Sequence, residues 1–280
     1  MAAGAAPEIP DGPFAAVLLC GSKQHQETRY LIARALAAVE EGGILACAAA
    51  NDAGGKRLLG DLESLGLAAE ELSKHKSRVV FARKTGSVDQ DTVMAWTRDG
   101  GMQKILDGAF VSQPGIFGWD KIDAGSTLLA ETIGDHVLCG TGADFGCGYG
   151  FLAAHIMQHY KDIKELYCLD ADARAVDACR INLKPYGNVA CEWVDLTQPQ
   201  NNLPPLDWVV MNPPFHEGKK AQHSIGADFI KTAATALRPG GDLWMVANTH
   251  LPYEAALGTC FRSFETVCEQ KGFKVFHAHK

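Results

Sequence analysis

The sequence has no apolar run long enough to cross a bilayer. Stretches such as Phe14 to Cys20 stop far short of the roughly 20 residues that a spanning helix needs. None of its nine cysteines forms a C-x-x-C pair, which removes the common spacing of a zinc site, so no metal is expected. The cysteines lie inside apolar stretches, as at Cys20, Cys47, Cys168 and Cys179, the pattern of reduced, buried thiols in a cytoplasmic protein. Positive charge is also in short supply. Lys and Arg total 26 against 33 Asp and Glu, and a net charge of -7 argues against coating nucleic acid by bulk electrostatics. A local basic surface stays open. The stretch before Pro7 lacks the basic start of a secretion signal and is followed by Glu8 and Asp11, so it reads as a frayed leader. A monomer is expected.

What is present is an α/β pattern. Hydrophobic residues make up 47% and charged residues 21%, and apolar strand-length segments alternate with helical ones, which implies a mostly parallel sheet. The chain also contains a partial repeat. Ala16 to Cys20 reads as a strand, Gln26 to Ala38 as a helix, and Gly42-Gly43-Ile44-Leu45 opens a second strand that ends at Ala50-Asn51. Far along the chain, Trp208 to Met211, Ala227 to Leu237 and Gly240-Gly241-Asp242-Leu243 to Ala247-Asn248 repeat those landmarks. Each half continues through a helix to a closing strand, Arg78 to Lys84 and Phe273 to Lys280. The first copy has Gly21-Ser22-Lys23-Gln24 where the second has Asn212-Pro213-Pro214-Phe215, so it keeps the scaffold without the chemistry. We therefore expect a degenerate partial domain over 1–84, a polar, glycine-punctuated linker over 85–112, and a catalytic domain over 113–280.

Asp144-Phe145-Gly146-Cys147-Gly148-Tyr149-Gly150 closes a short strand and opens a helix from Phe151 to Tyr160. Glycines Gly146, Gly148 and Gly150 let the backbone bend sharply and let a ligand approach. A G-x-G-x-G loop alone is weak evidence, because nicotinamide and flavin enzymes use a similar turn. Asp144 shifts the balance: a carboxylate there would repel a pyrophosphate but can receive the amino group of a zwitterionic ligand, directly or through water. The next strand ends at Asp170, placed to accept both hydroxyls of a ribose; Asp172 either shares that task or caps the helix that follows. Asp195, at a third strand end, either meets an adenine amino group or holds a turn before Leu196-Thr197.

Asn212-Pro213-Pro214-Phe215 follows the strand Leu206 to Met211. Two prolines stiffen the backbone and keep carbonyls out of any ladder. The Asn212 side-chain oxygen and the Pro213 carbonyl can each accept one hydrogen of a planar amino group and so aim its lone pair; Phe215 offers a face for stacking. A structural turn is the plain alternative.

From about Gln113 to Lys280 the chain resembles the S-adenosylmethionine-dependent methyltransferases of the small-domain class, in particular the RsmC-type ribosomal RNA guanine-N2 methyltransferases. The resemblance rests on Pro114-Gly115-Ile116-Phe117, Asp123-Ala124-Gly125-Ser126, the Asp144 to Gly150 loop, Asn212 to Gly218, Val246-Ala247-Asn248, Leu251-Pro252-Tyr253 and Phe273-Lys274-Val275. It implies a class I, Rossmann-like α/β fold, S-adenosyl-L-methionine as cofactor, and ribosomal RNA or a ribosomal subunit as partner. Cofactor contacts fall on Asp144, Phe145, Gly146, Gly148, Gly150, Asp170, Asp195 and Asn212, and catalysis on Asn212, Pro213, Pro214 and Phe215. The Gln113 to Ser126 block either lines the pocket, through Phe117 and Ser126, or covers an interdomain surface. The family carries an N-terminal pseudo-methyltransferase domain, which the first copy is similar to. Adenine N6 and a protein glutamine amide present the same NH2 and remain alternative acceptors. For gripping RNA, Lys74, Lys76, Arg78, Arg83 and Lys84 form an acid-free run, either a phosphate grip or a solvated edge, and Lys219 and Lys220 follow the catalytic tetrapeptide. His216 and His223 are read as structural.

Overall fold

The structure, a computed structural model, describes residues 12–134, 136–200, 202–214 and 222–280, with side chains of the last stretch described from 225 onward. Contacts divide these residues into two compact units, 12–104 with 112–119 and 105–111 with 120–280. Among the described residues, no helix is long and apolar enough to cross a membrane.

The first unit comprises β1 (Phe14–Cys20), α1 (His25–Ala38), β2 (Val39–Ala50), α2 (Leu58–Ser64), β3 (Ala69–Lys74), β4 (Ser77–Arg83) and α3 (Gln90–Gly100). Its sheet has the order β1-β2-β4-β3, with β1 parallel to β2 and the other pairs antiparallel. Ile32 and Leu36 of α1 and Leu58 and Leu62 of α2 pack on Leu45, Cys47 and Val80 of the sheet. The segment expected to be a linker is structured: Asp89 caps α3 by accepting from the Asp91 and Thr92 N–H groups, and Trp96 is buried in the same core. Its polar composition hid a helix that needs only one apolar stripe. A short ribbon, β5 (Gln103–Ile105) with β6 (Phe110–Ser112), follows.

The second unit continues with α4 (Ala124–Ile133), β7 (Gly140–Phe145), α5 (Phe151–His159), β8 (Ile163–Asp170), α6 (Ala173–Asn182), β9 (Val189–Trp193), β10 (Leu206–Met211), α7 (Gln222–Ala236), β11 (Leu237–Asn248), α8 (Glu254–Cys260), β12 (Ser263–Gln270) and β13 (Phe273–His279). The sheet order is β12-β13-β11-β10-β7-β8-β9, with β13 antiparallel to both its neighbours. Central strands covered on both faces carry unbroken apolar runs. Trp208 and Val210 join a core with α4, α5 and α6, while Val209 and Met211 join one with α7 and α8.

The repeat seen in the sequence is a repeat of topology: β1, β2, β4 and β3 pair as β10, β11, β13 and β12 do. Even an irregularity recurs. Pairing Phe14↔Val39 resumes at Ala16↔Ile44, and Leu206↔Leu237 resumes at Trp208↔Asp242. The Gly42 N–H donates to the Lys84 carbonyl at 2.9 Å, and the Gly240 N–H to that of Lys280 at 3.2 Å. The closing strand is one arm of a hairpin in both units. The first arms, β3 and β12, escaped the sequence reading because exposed edge strands such as Ala-Glu-Glu-Leu-Ser-Lys carry little apolar signal.

Candidate active site

From β7 the chain crosses to β8 on one side, and from β10 to β11 on the other. The crevice between the carboxyl ends of β7 and β10 is therefore a topological switch point, where open α/β sheets bind ligands. Phe145 pairs with Met211 at that end, so the glycine bend and the Asn212 loop start side by side. A Cβ built on Gly146 would lie 3.8 Å from the Asn212 carbonyl oxygen. The two loops leave the sheet next to one another.

The glycines of the bend serve different ends. Gly148, at φ +53°, has nothing within 4 Å of where a Cβ would stand, and faces open space. At Gly150, φ +93°, the same atom would come within 2.9 Å of the Cys179 sulfur on α6, so this glycine allows close packing. Asp170 accepts the Gly148 N–H on Oδ2 and the Asp172 N–H on Oδ1, each at 2.9 Å. Each carboxylate oxygen keeps acceptor capacity for an incoming hydroxyl. Burial raises the Asp170 pKa, opposed by those two N–H groups. Asp172 caps α6 through the Arg174 N–H at 3.0 Å and pairs with the Arg174 guanidinium, which gives it the structural role.

Asp144 lies beneath the bend, fully buried, and among the described residues neither carboxyl oxygen has a hydrogen-bond partner. Burial, with Cys179 and Asp170 nearby, pushes its pKa well above the usual carboxylate range. Phe145 has its ring 0% exposed in the core with Met211 and Phe229, which leaves its backbone as the part that lies at the bend. Asp195 is exposed and holds a turn, accepting the Thr197 N–H at 2.9 Å and hydroxyl at 2.6 Å, which pulls its pKa down.

Asn212 is fixed by a residue that the sequence reading gave no separate role. Its amide nitrogen donates to Asp123 Oδ2 at 2.8 Å and to Ser126 Oγ at 2.9 Å. A carboxylate can only accept, so the NH2 must face Asp123 and Oδ1 is turned the other way. Asp123 is also the N-cap of α4, accepting the Ser126 N–H at 2.9 Å. Tyr149 braces this segment by donating to the Lys121 carbonyl at 3.1 Å; burial, with Asp123 nearby, pushes its pKa up to about 12. The one signal in sequence was the Asp-x-x-Ser capping pattern. Pro213 is buried and Pro214 half-buried. Phe215, His216, Lys219 and Lys220 lie outside the described residues, as does the His223 side chain.

The basic run in the first unit is smaller than it reads. Lys74 and Lys76 are exposed at the β3–β4 hairpin. Arg78, however, pairs with Glu71 and donates to Asn51 at 3.3 Å, Arg83 donates to the Gly42 carbonyl, and Lys84 to those of Leu36 and Val39. Pairing across strands supplied the acid that the linear run lacked. Phe117 belongs to the same unit and is 60% exposed.

A bend with open space at Gly148, a carboxylate with acceptor capacity at Asp170 and an unsatisfied carboxyl at Asp144 fit a ligand carrying a diol and a cationic amine. Sheet order and crevice together define a class I, Rossmann-like methyltransferase fold. The profile of the methyltransferase small domain matches residues 107–277, and the chain belongs to that family. It is similar to a ribosomal RNA small subunit methyltransferase C of Stutzerimonas stutzeri, 32% identical, over 98% of this chain and 81% of that protein. A namesake from Chromohalobacter salexigens is 29% identical over 96% of this chain and 79% of its own. Among solved structures, a 16S rRNA N2 methyltransferase (RsmC) of T. thermophilus, in complex with AdoMet and guanosine, superposes with a TM-score of 0.80 at 24% identity, over 97% of this chain and 74% of that one.

Proposed function

We propose that this chain is an S-adenosylmethionine-dependent methyltransferase acting on the exocyclic N2 of a guanine in small-subunit ribosomal RNA. The names of its full-length relatives support the RNA class, and the complex with guanosine named above supports the acceptor. The observation that carries the mechanism is the pinned amide of Asn212 beside the glycine bend.

The chemistry follows from the acceptor. A guanine amino group has its lone pair delocalised into the ring and is a poor nucleophile. Asn212 Oδ1 accepts one of its hydrogens and the Pro213 carbonyl the other, which draws the lone pair out of the ring and aims it. Because Asp123 and Ser126 already hold the amide, little reorganisation remains at the moment of reaction. The cofactor supplies a methyl group on a positively charged sulfur. Asp170 takes the ribose hydroxyls, the open side of Gly148 admits the cofactor, and Asp144 acts on its amino end through water. Asp195 would meet the adenine amino group. Phe215 stacks on the base, which is swung out of its helix into the crevice, while Lys219 and Lys220 meet phosphate. No strong base is required, since nitrogen becomes acidic once alkylated. The protein works as a monomer.

Asn212→Ala should still bind S-adenosylmethionine in calorimetry but lose about 100-fold or more in turnover, a loss larger than any fall in cofactor affinity. Nucleosides released from treated ribosomal RNA should contain N2-methylguanosine by mass spectrometry. N6-methyladenosine in its place would overturn the acceptor, and full turnover by the variant would remove Asn212 from the mechanism.

A further inference from the structure

The strand β13 ends in His277-Ala278-His279, a motif with no part in the chemistry above. On a strand, residues two apart share a face. The register places His279 opposite Asp242 and His277 opposite Trp244, and Asp242 and Trp244 are themselves two apart on β11. The pairing therefore gathers two imidazoles and a carboxylate on one patch, toward the amino ends of the parallel strands and away from the glycine bend.

The geometry points to a second ligand site here, for a divalent transition metal of the zinc type, held by Asp242, His277 and His279. His279 Nδ1 lies 2.6 Å and His277 Nε2 3.3 Å from Asp242 Oδ1, and one ligand atom from each residue falls within 4.8 Å of the others. Zinc bonds of about 2.0–2.2 Å to nitrogen and oxygen set neighbouring ligands of a tetrahedron roughly 3.3 Å apart, so small side-chain rotations suffice. A second sign comes from His277. It is 9% exposed, and its Nε2 is buried with a long 3.3 Å approach to Asp242 Oδ1 that falls short of hydrogen-bond geometry. A buried nitrogen so weakly satisfied is costly, and a metal bond removes that cost. The ring is already oriented, stacked on Trp244 at 3.9 Å between centroids and 11° between planes. Asp242 and His279 have side chains 38% and 49% exposed, so an ion can enter and water can fill the remaining position.

The sequence expectation of no metal rested on cysteine spacing, which says nothing of a His-x-His strand facing an aspartate. A rival sulfur site exists: Cys168, Cys179 and Cys191 also bring their sulfurs within 4.8 Å of one another, two of them wholly buried. Cobalt distinguishes the two sites. The untagged, metal-free full chain titrated with Co2+ should bind one equivalent, with visible ligand-field absorption and no thiolate-to-cobalt charge-transfer band. His279→Ala, a change at a half-exposed side chain, should weaken binding at least about tenfold, the lower end of what losing even a supporting partner costs. Asp242→Asn should do the same, and Cys191→Ser should leave binding unchanged. Zn2+ should raise the melting temperature of the wild type but not of His279→Ala. Absence of saturable binding, equal affinity in both His279→Ala and Asp242→Asn, or a sulfur charge-transfer band abolished in Cys191→Ser would each overturn the site.

Discussion

At Asp144 the needs of folding and of ligand binding oppose one another. Its carboxyl is shut away from solvent with no described partner, and burial holds its proton to a higher pH than in the unfolded chain. Between the unfolded and folded pKa values the native state binds the extra proton, so stability falls as pH rises through that window and stays low above it. Asp144→Asn keeps the shape and removes the ionisation. It should raise the melting temperature at neutral pH, remove the fall of Tm that sets in as pH rises above the ordinary carboxylate range, and weaken S-adenosylmethionine binding in calorimetry. A lower Tm at neutral pH with unchanged cofactor affinity would make Asp144 a packing residue alone. Lysine at 274 shows the contrasting solution, a buried cation answered directly by Glu254 at 2.5 Å.

At the scale of the element, the glycine bend separates two effects that one substitution usually mixes. Gly150→Ala drives a methyl against Cys179 in a left-handed backbone and should cost about 2–4 kcal/mol in denaturant unfolding. Gly148→Ala meets no neighbour, so the strain of its positive φ should cost about 1–2 kcal/mol, yet its methyl projects into the space a cofactor would fill. Loss of cofactor affinity should therefore exceed loss of stability at Gly148, with the order reversed at Gly150; equal effects would mean that both glycines only pack. The bend itself was legible because glycine spacing and strand-to-helix punctuation are local. Central strands were legible for the same reason, since burial on both faces writes an unbroken apolar run. What escaped was non-local or weakly apolar. The hold of Asp123 on Asn212 spans 89 positions, the edge strands β3 and β12 bury too little to show a pattern, and α3 reads as a linker until Trp96 is seen inside the core.

For the whole molecule the question is how a chain of net charge -7 holds a polyanion. Five cations in the run from Lys74 to Lys84 suggest a strong grip, but three of them are committed within the first unit: Arg78 to Glu71 and Asn51, Arg83 and Lys84 to backbone carbonyls. Lys74 and Lys76 remain exposed, with Lys76 in a two-residue hairpin turn whose residues His75 and Lys76 both take positive φ, as a type I′ turn requires. Each phosphate contact contributes a slope of about 0.7–0.9 to the dependence of log affinity on log salt. Lys74→Ala with Lys76→Ala should therefore weaken ribosomal RNA binding at low salt and reduce that slope by at most about 2. Arg78→Ala should instead lower the melting temperature, by stranding Glu71, and leave the slope unchanged. If the double variant binds RNA with the wild-type slope, or if Arg78→Ala reduces it, the hairpin is a solvated edge and phosphate must be held elsewhere on the chain.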